Sequence, residues 1–158
     1  MAIAKAEKGS GYERILIPIS GEETDDAAIR LGCNLSRLAR KTKCKIIILY
    51  VIQVQRSLPL DATIEREVQK GEQALSEAQD IASDCECDVR TDVLQARDVG
   101  VAIVDEAVEQ HVDVIVMGAG YKRRFGVFAI SPTAQTVLRD APCRVIVIRP
   151  TLAEVQAK

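Results

Sequence analysis

The chain has one histidine, His111, which leaves almost nothing from which to assemble a Ser/His/Asp triad. Long apolar runs are missing as well. The stretch around Ile46–Val51 falls far below the roughly 20 residues of a membrane span, so none is expected. Net charge is also scarce: a formal balance of -2 exerts no global pull on nucleic acid or membrane, and any anion site must come from a local cluster of donors. No Gly-, Pro- or Ser-rich linker, repeat or low-complexity tract divides the 158 residues, which fit one domain able to bury roughly two-thirds of its unfolded surface. The five cysteines, Cys33, Cys44, Cys85, Cys87 and Cys143, are odd in number and scattered. They read as reduced thiols of a cytoplasmic chain. Cys85 and Cys87 suggest a metal clip, but His111 stands beside no second ligand pair at zinc-like spacing, and no metal site is expected.

What the chain does have is an alternation of apolar runs and helical stripes, the pattern of a parallel sheet covered on both faces. Five strands are expected at Arg14–Ile19, Cys44–Ile52, Cys87–Leu94, Val112–Met117 and Cys143–Ile148. The third alternates more than the others, as an edge strand does. Four helices lie between them. The first follows Glu22, Glu23, Thr24 and Asp25, acids that suit a helix N-terminus, and carries a stripe of Ala27, Ala28, Leu31, Leu35, Leu38 and Ala39. The second, opened by Asp61 and Thr63 as caps, places Ile64, Val68, Leu75, Ala78 and Ile81 on one face. The third uses Ile103, Val104, Ala107, Val108 and His111, with Asp98 and Gly100 as its turn and start. The fourth runs from Pro132 to Arg139 behind Ser131, an N-cap and first-turn pair. Residues 1–13, which mix Lys5, Glu7 and Lys8 with small residues, read as a flexible leader and not a secretory peptide. Residues 14–150 form the α/β domain and 151–158 a tail.

Right-handed crossovers let the first three strands step outward and the fourth return beside the first, giving the order 3-2-1-4-5. Ligands of such sheets bind where the order reverses, beyond the carboxyl ends of the strands. That places Pro18, Ile19 and Ser20 on one wall, with Met117 and Gly118 on the other and Val51 nearby. Residues 119–130 are too long for a simple connection and are expected to be a functional loop. They carry Tyr121, Lys122, Arg123, Arg124, Phe125 and Gly126.

The opening RILIPIS with its following helix, the segment VDEAVEQHVDVIVMG and the closing TVLRDAPCRVIVI resemble the universal stress protein family, from Arg14 to Ile148. The resemblance implies a five-stranded parallel sheet, dimerisation through the last strand and, in one subgroup, ATP binding. That subgroup carries a glycine, two residues, a second glycine, nine residues, then glycine and a serine or threonine. The glycines let backbone amides approach phosphate at a helix N-terminus. Here Gly118 fits the first position, but the others fall on Tyr121, Ser131 and Pro132, and Gly120 fits the second only with a one-residue shift. Proline contributes no N–H. Ser20 stands where nucleotide-binding members carry an acid.

Lys122, Arg123 and Arg124 offer a different grip, with charge-assisted bonds from side chains in place of backbone amides. Thr133 adds a hydroxyl and an amide for a terminal phosphate, while Ser131 is first a cap. Glu22, Glu23, Asp25 and Asp26 offer carboxylates to magnesium only if a triphosphate binds, and are more simply first-turn acids. His111 ends a helix on the amino side of its strand, where the dipole explains it. Two functions remain open. One is a regulatory protein that takes ATP or another adenine nucleotide, or a related phosphate ligand, in the crevice. The other is a ligand-free dimeric interaction module with a degenerate site, whose protein partners include a transporter. Neither is an enzyme, slow ATP hydrolysis being the least favoured activity. The last strand is an apolar edge, and pairing with its own copy is the simplest cover.

Overall fold

The computed structural model describes residues 11–39, 43–120, 122–124 and 127–157, with the backbone alone at 122–124 and 127. Its main sheet is built from β1 (Arg14–Ile19), β2 (Lys45–Gln53), β3 (Asp88–Ala96), β4 (Val114–Gly118) and β7 (Arg144–Ile148). The strands lie in the order β3-β2-β1-β4-β7. All four pairings are parallel, with Ile15 set against Ile46 on one side and Val114 on the other. The expected order of the five sheet strands holds.

The period-two character of the strands explains the two cores. On one face Ile15, Ile17, Ile46, Ile48, Val114 and Val116 meet α1 (Thr24–Arg37) and α2 (Glu65–Ala82). On the other Leu16, Ile47, Leu49, Ile115 and Met117 meet α3 (Val99–Glu109) and α4 (Pro132–Asp140). Each fully buried Ile or Leu contributes about 1.5–3 kcal/mol. Tyr12, within the stretch read as a loose leader, packs on the first core. Residues 152–156 of the tail form a short helix, α5, closed by a capping box between Thr151 and Glu154.

Several expectations need correction. The stretch 119–130 is not a plain loop among the described residues: β5 (Lys122–Arg124) and β6 (Val127–Ala129) pair as an antiparallel ribbon. The inward face of α1 is broader than the expected stripe: Ala28 is buried and Leu31, Leu35 and Ala39 pack on the core as expected, Ile29, Gly32, Cys33 and Ser36 are buried with them, and Ala27 and Leu38 face outward. The reason is close approach. A side chain at Gly32 would meet Ile17 at 2.5 Å, so Gly32 has to face the sheet, with Ile29 buried beside it. Asp61 and Thr63 do not cap α2, whose N-cap is Ile64 without a side-chain bond. Val108 points outward. Asp98 does cap α3, accepting from the Val101 N–H at 3.0 Å, and Ser131 caps α4, accepting from the Ala134 N–H at 3.2 Å. His111 sits at φ 52° beyond the end of α3. The His111 and Val112 amides return to the Val108 and Ala107 carbonyls, so this residue terminates the helix as a left-handed cap.

The thiols are the largest departure. Cys33 and Cys85 are joined as a disulfide, tying α1 to the end of α2 with a Cα–Cα distance of 5.4 Å. The reading of all five as reduced therefore fails, and so does the metal clip, since Cys85 is spent. Burial pushes the Cys44 thiol up to about 12 and raises Cys87 and Cys143 as well, so these three stay protonated.

Candidate functional site

The order reverses between β1 and β4, and there the carboxyl ends of the strands open into a cleft of about 720 Å³. That volume lies within the range of small-molecule sites, roughly 300–1,000 Å³. Pro18, Ile19 and Ser20 line it from β1, and Val51 from β2. Met117, Gly118 and Gly120 come from β4 and beyond, Ser131 and Thr133 from the start of α4. These expected residues are brought together. For Lys122, Arg123 and Arg124 the backbone lies on β5, and the side chains fall outside the described atoms, as do Tyr121, Phe125 and Gly126 altogether.

The helix start offers less than its position suggests. Pro132 has no N–H, and Ser131 accepts the Ala134 amide. The Thr133 amide and hydroxyl are the donors left in the first turn. Gly118 has a packing reason of its own, because a side chain there would meet the Thr24 carbonyl and Cβ at 2.7 Å. Its glycine admits α1 to the end of β4 whether or not a phosphate binds.

The acid missing at Ser20 returns from the neighbouring helix. Asp25, in the first turn of α1, folds its carboxylate back onto the β1–α1 connection and accepts the N–H groups of Ser20 at 3.0 Å, Gly21 at 2.7 Å and Glu22 at 3.1 Å. Gly21 makes this turn at φ 82°, where other residues are strained. Asp25 is only 8% exposed. Desolvation outweighs the three hydrogen bonds and raises its pKa to about 6, with the nearby Glu22 adding repulsion. Asp26 instead pairs with Arg30 at 2.9 Å. The first-turn acids thus do not gather around magnesium, and among the described residues no group of three or more such side chains converges on a metal position.

Arg97 and Arg56 are cleft residues that sequence reasoning missed, together with Tyr50 and Glu67. Arg97 donates to the Val54 and Gln55 carbonyls, pinning the end of β2. Burial raises the Tyr50 pKa, which keeps its phenol neutral. The signal that could have found them is topological: the carboxyl ends of β2 and β3 point to the same sheet edge as β1 and β4.

A family model described as the universal stress protein family matches residues 11–149. The chain belongs to this family. A universal stress protein of Methanocaldococcus jannaschii is 24% identical over 144 residues, covering 87% of this chain and 82% of that one. The solved universal stress protein of Archaeoglobus fulgidus superimposes with a TM-score of 0.73 at 19% identity, over 87% of this chain and 98% of its own. In its complex with dAMP the TM-score is 0.68, at the same identity and coverage. A universal stress protein family protein of Arabidopsis thaliana, solved with AMP bound, gives 0.65 at 15% identity over 89% and 94% of the two chains. As a universal stress protein this chain shares the fold of these solved structures, and Asp25 stands in the lining of its cleft.

Proposed function

We propose that the β1–β4 cleft binds an adenine nucleotide or a related phosphate ligand, and that occupancy is reported to a protein partner. The observation that carries this reading is the cleft itself, open at the reversal point and lined by donors from α4 and by Arg56 and Arg97. The dAMP and AMP complexes of family members support the ligand class. Lys122, Arg123 and Arg124 supply the phosphate grip that Pro132 cannot, and magnesium enters only with a triphosphate. The role is regulatory and not catalytic.

Calorimetric titration with AMP, cAMP and ATP tests this. Saturable binding of at least one is expected, with ATP weakened about tenfold or more, about 1.4 kcal/mol, by Arg123→Ala with Arg124→Ala. No binding at millimolar nucleotide would leave the second reading, a ligand-free interaction module, which the loss of the family's glycines at Tyr121 and Ser131, of the acid at Ser20 and of the N–H at Pro132 favours.

The proposal includes a homodimer paired through β7, the half-buried apolar edge Arg144–Ile148. Sedimentation velocity is expected to give twice the monomer mass, and a monomer at high micromolar concentration would exclude it. No helix of the described residues is long and apolar enough to cross a membrane. A cytoplasmic setting is part of this reading, in which the Cys33–Cys85 bridge is an uncommon feature.

A further inference from the structure

On α3 the charges run against the helix's own preference. Asp105, Glu106 and Glu109 crowd its C-terminal half, where the dipole favours cations, and its last turn holds no basic residue. Asp105 and Glu109 also stand four residues apart, where like charges repel. Glu106 is only 7% exposed, yet among the described residues none of these three carboxylates makes an ion pair or a hydrogen bond. A carboxylate held out of bulk water without a partner is unfavourable. The Glu106 oxygens are not sealed in, so they open to the groove that the residue lines.

That groove, about 370 Å³, runs between α3 and the end of β3. Its apolar lining comes from Leu94, Ala96, Val101 and Ala102. Asp98, Ala102, Asp105 and Glu109 follow one another at four-, three- and four-residue steps, which places them in a row along the helix. Asp98 and Asp105 are about 10 Å apart along the axis at the rise of an α-helix. Two cations stand close by: Arg97, which lines the groove as well as the cleft, points its guanidinium to the Val54 and Gln55 carbonyls and not to these acids, and Arg139, across on α4 and within the field of Asp98, pairs with Asp140 at 2.7 Å. A metal ion does not fit, since no three ligand groups among the described residues converge.

We infer that this groove binds an aliphatic polyamine, with ammonium groups on Asp98 and on the Asp105, Glu106 and Glu109 cluster, and the methylene chain over Leu94 and Val101. A lysine side chain of a protein shares this chemistry, but spaced cations on one short apolar chain suit a row of acids better.

Equilibrium dialysis of the intact chain with labelled spermidine, at near-physiological salt, tests the inference. One saturable site is expected. Glu106→Gln should weaken it about tenfold or more, and so should the exposed pair Asp105→Asn with Glu109→Gln, which guards against a folding defect at position 106. Magnesium at equal ionic strength should leave spermidine bound, and a lysine-rich peptide should bind more weakly than spermidine. Non-saturable uptake, unchanged affinity in both variants, displacement by magnesium, or tighter binding of the peptide would each overturn the assignment. AMP titrated in parallel should behave alike in wild type and variants, so failure here stays separate from failure of the nucleotide cleft.

Discussion

Reduction of the Cys33–Cys85 disulfide is expected to lower stability by about 4 kcal/mol. The bridge closes a loop of 52 residues, and the chain entropy it removes from the unfolded state grows with the logarithm of that length. Cys33 lies on the buried face of α1 and Cys85 just past the C-terminus of α2, two helices that share one face of the sheet. For a domain of this size the melting midpoint should fall by roughly 10 °C in reductant. A Cys33→Ser, Cys85→Ser variant should melt near the reduced wild type and ignore reductant. Nucleotide binding should survive, because the bridge sits toward the C-terminal ends of the helices whereas the cleft uses Glu22 and Asp25 at the start of α1. Equal midpoints with and without reductant, or five titratable thiols in the native oxidised protein, would refute the bridge.

Asp25 should make both stability and anion binding depend on pH in mild acid. Its folded pKa, raised to about 6, stands above the ordinary carboxylate value near 3.8. Below the lower value both folded and unfolded chains hold the proton and nothing is lost. Between the two, the unfolded chain ionises while the folded one does not, so stability falls as pH rises. By about pH 6 the loss is complete, at about 3 kcal/mol. Asp25→Asn, which keeps one oxygen for the Ser20–Glu22 amides, should flatten this segment of the stability curve. Ligand binding follows the same sign: a neutral Asp25 repels an anion less, so cAMP, whose phosphodiester holds one charge throughout this window, should bind more tightly below pH 6 than above it. The difference should vanish in the variant. Parallel stability curves of wild type and variant from pH 4 to 7 would remove Asp25 as the source.

The two amino-acid periods made much of this readable. The Ile15–Ile17 and Leu16 alternation assigns each residue of β1 to one of two helix layers, and the apolar blocks mark all five sheet strands within a residue or two. The caps at Asp98 and Ser131 were equally legible, because a short polar side chain before a helical stripe has one common use. The α1 stripe was legible in part. Leu31 and Leu35 pack on the core as the stripe implies, but Leu38 is exposed, and Gly32, which no apolar stripe marks, is the residue that sits against Ile17.

Residues of the cleft and of the α3 groove divide along the same line. Those next to β1 and β4 follow from the reversal of strand order, since short connections keep them at the carboxyl edge. Asp25, Arg97 and Glu106 do not, because each owes its character to what surrounds it: three amides, two carbonyls, or the absence of any partner. Cys33 and Cys85 belong with them, since any two of five cysteines satisfy a sequence pattern equally well.

The order of apolar and polar residues thus determined the α/β class, the strand succession and the edge at which a ligand would sit, because these depend on local periodicity and on the handedness of L-residues. Tertiary structure alone decided which cysteines join, which carboxylate turns into the cleft and which remains without a counter-charge. Those outcomes depend on distances of a few ångströms between segments far apart in the chain, and no local pattern encodes them.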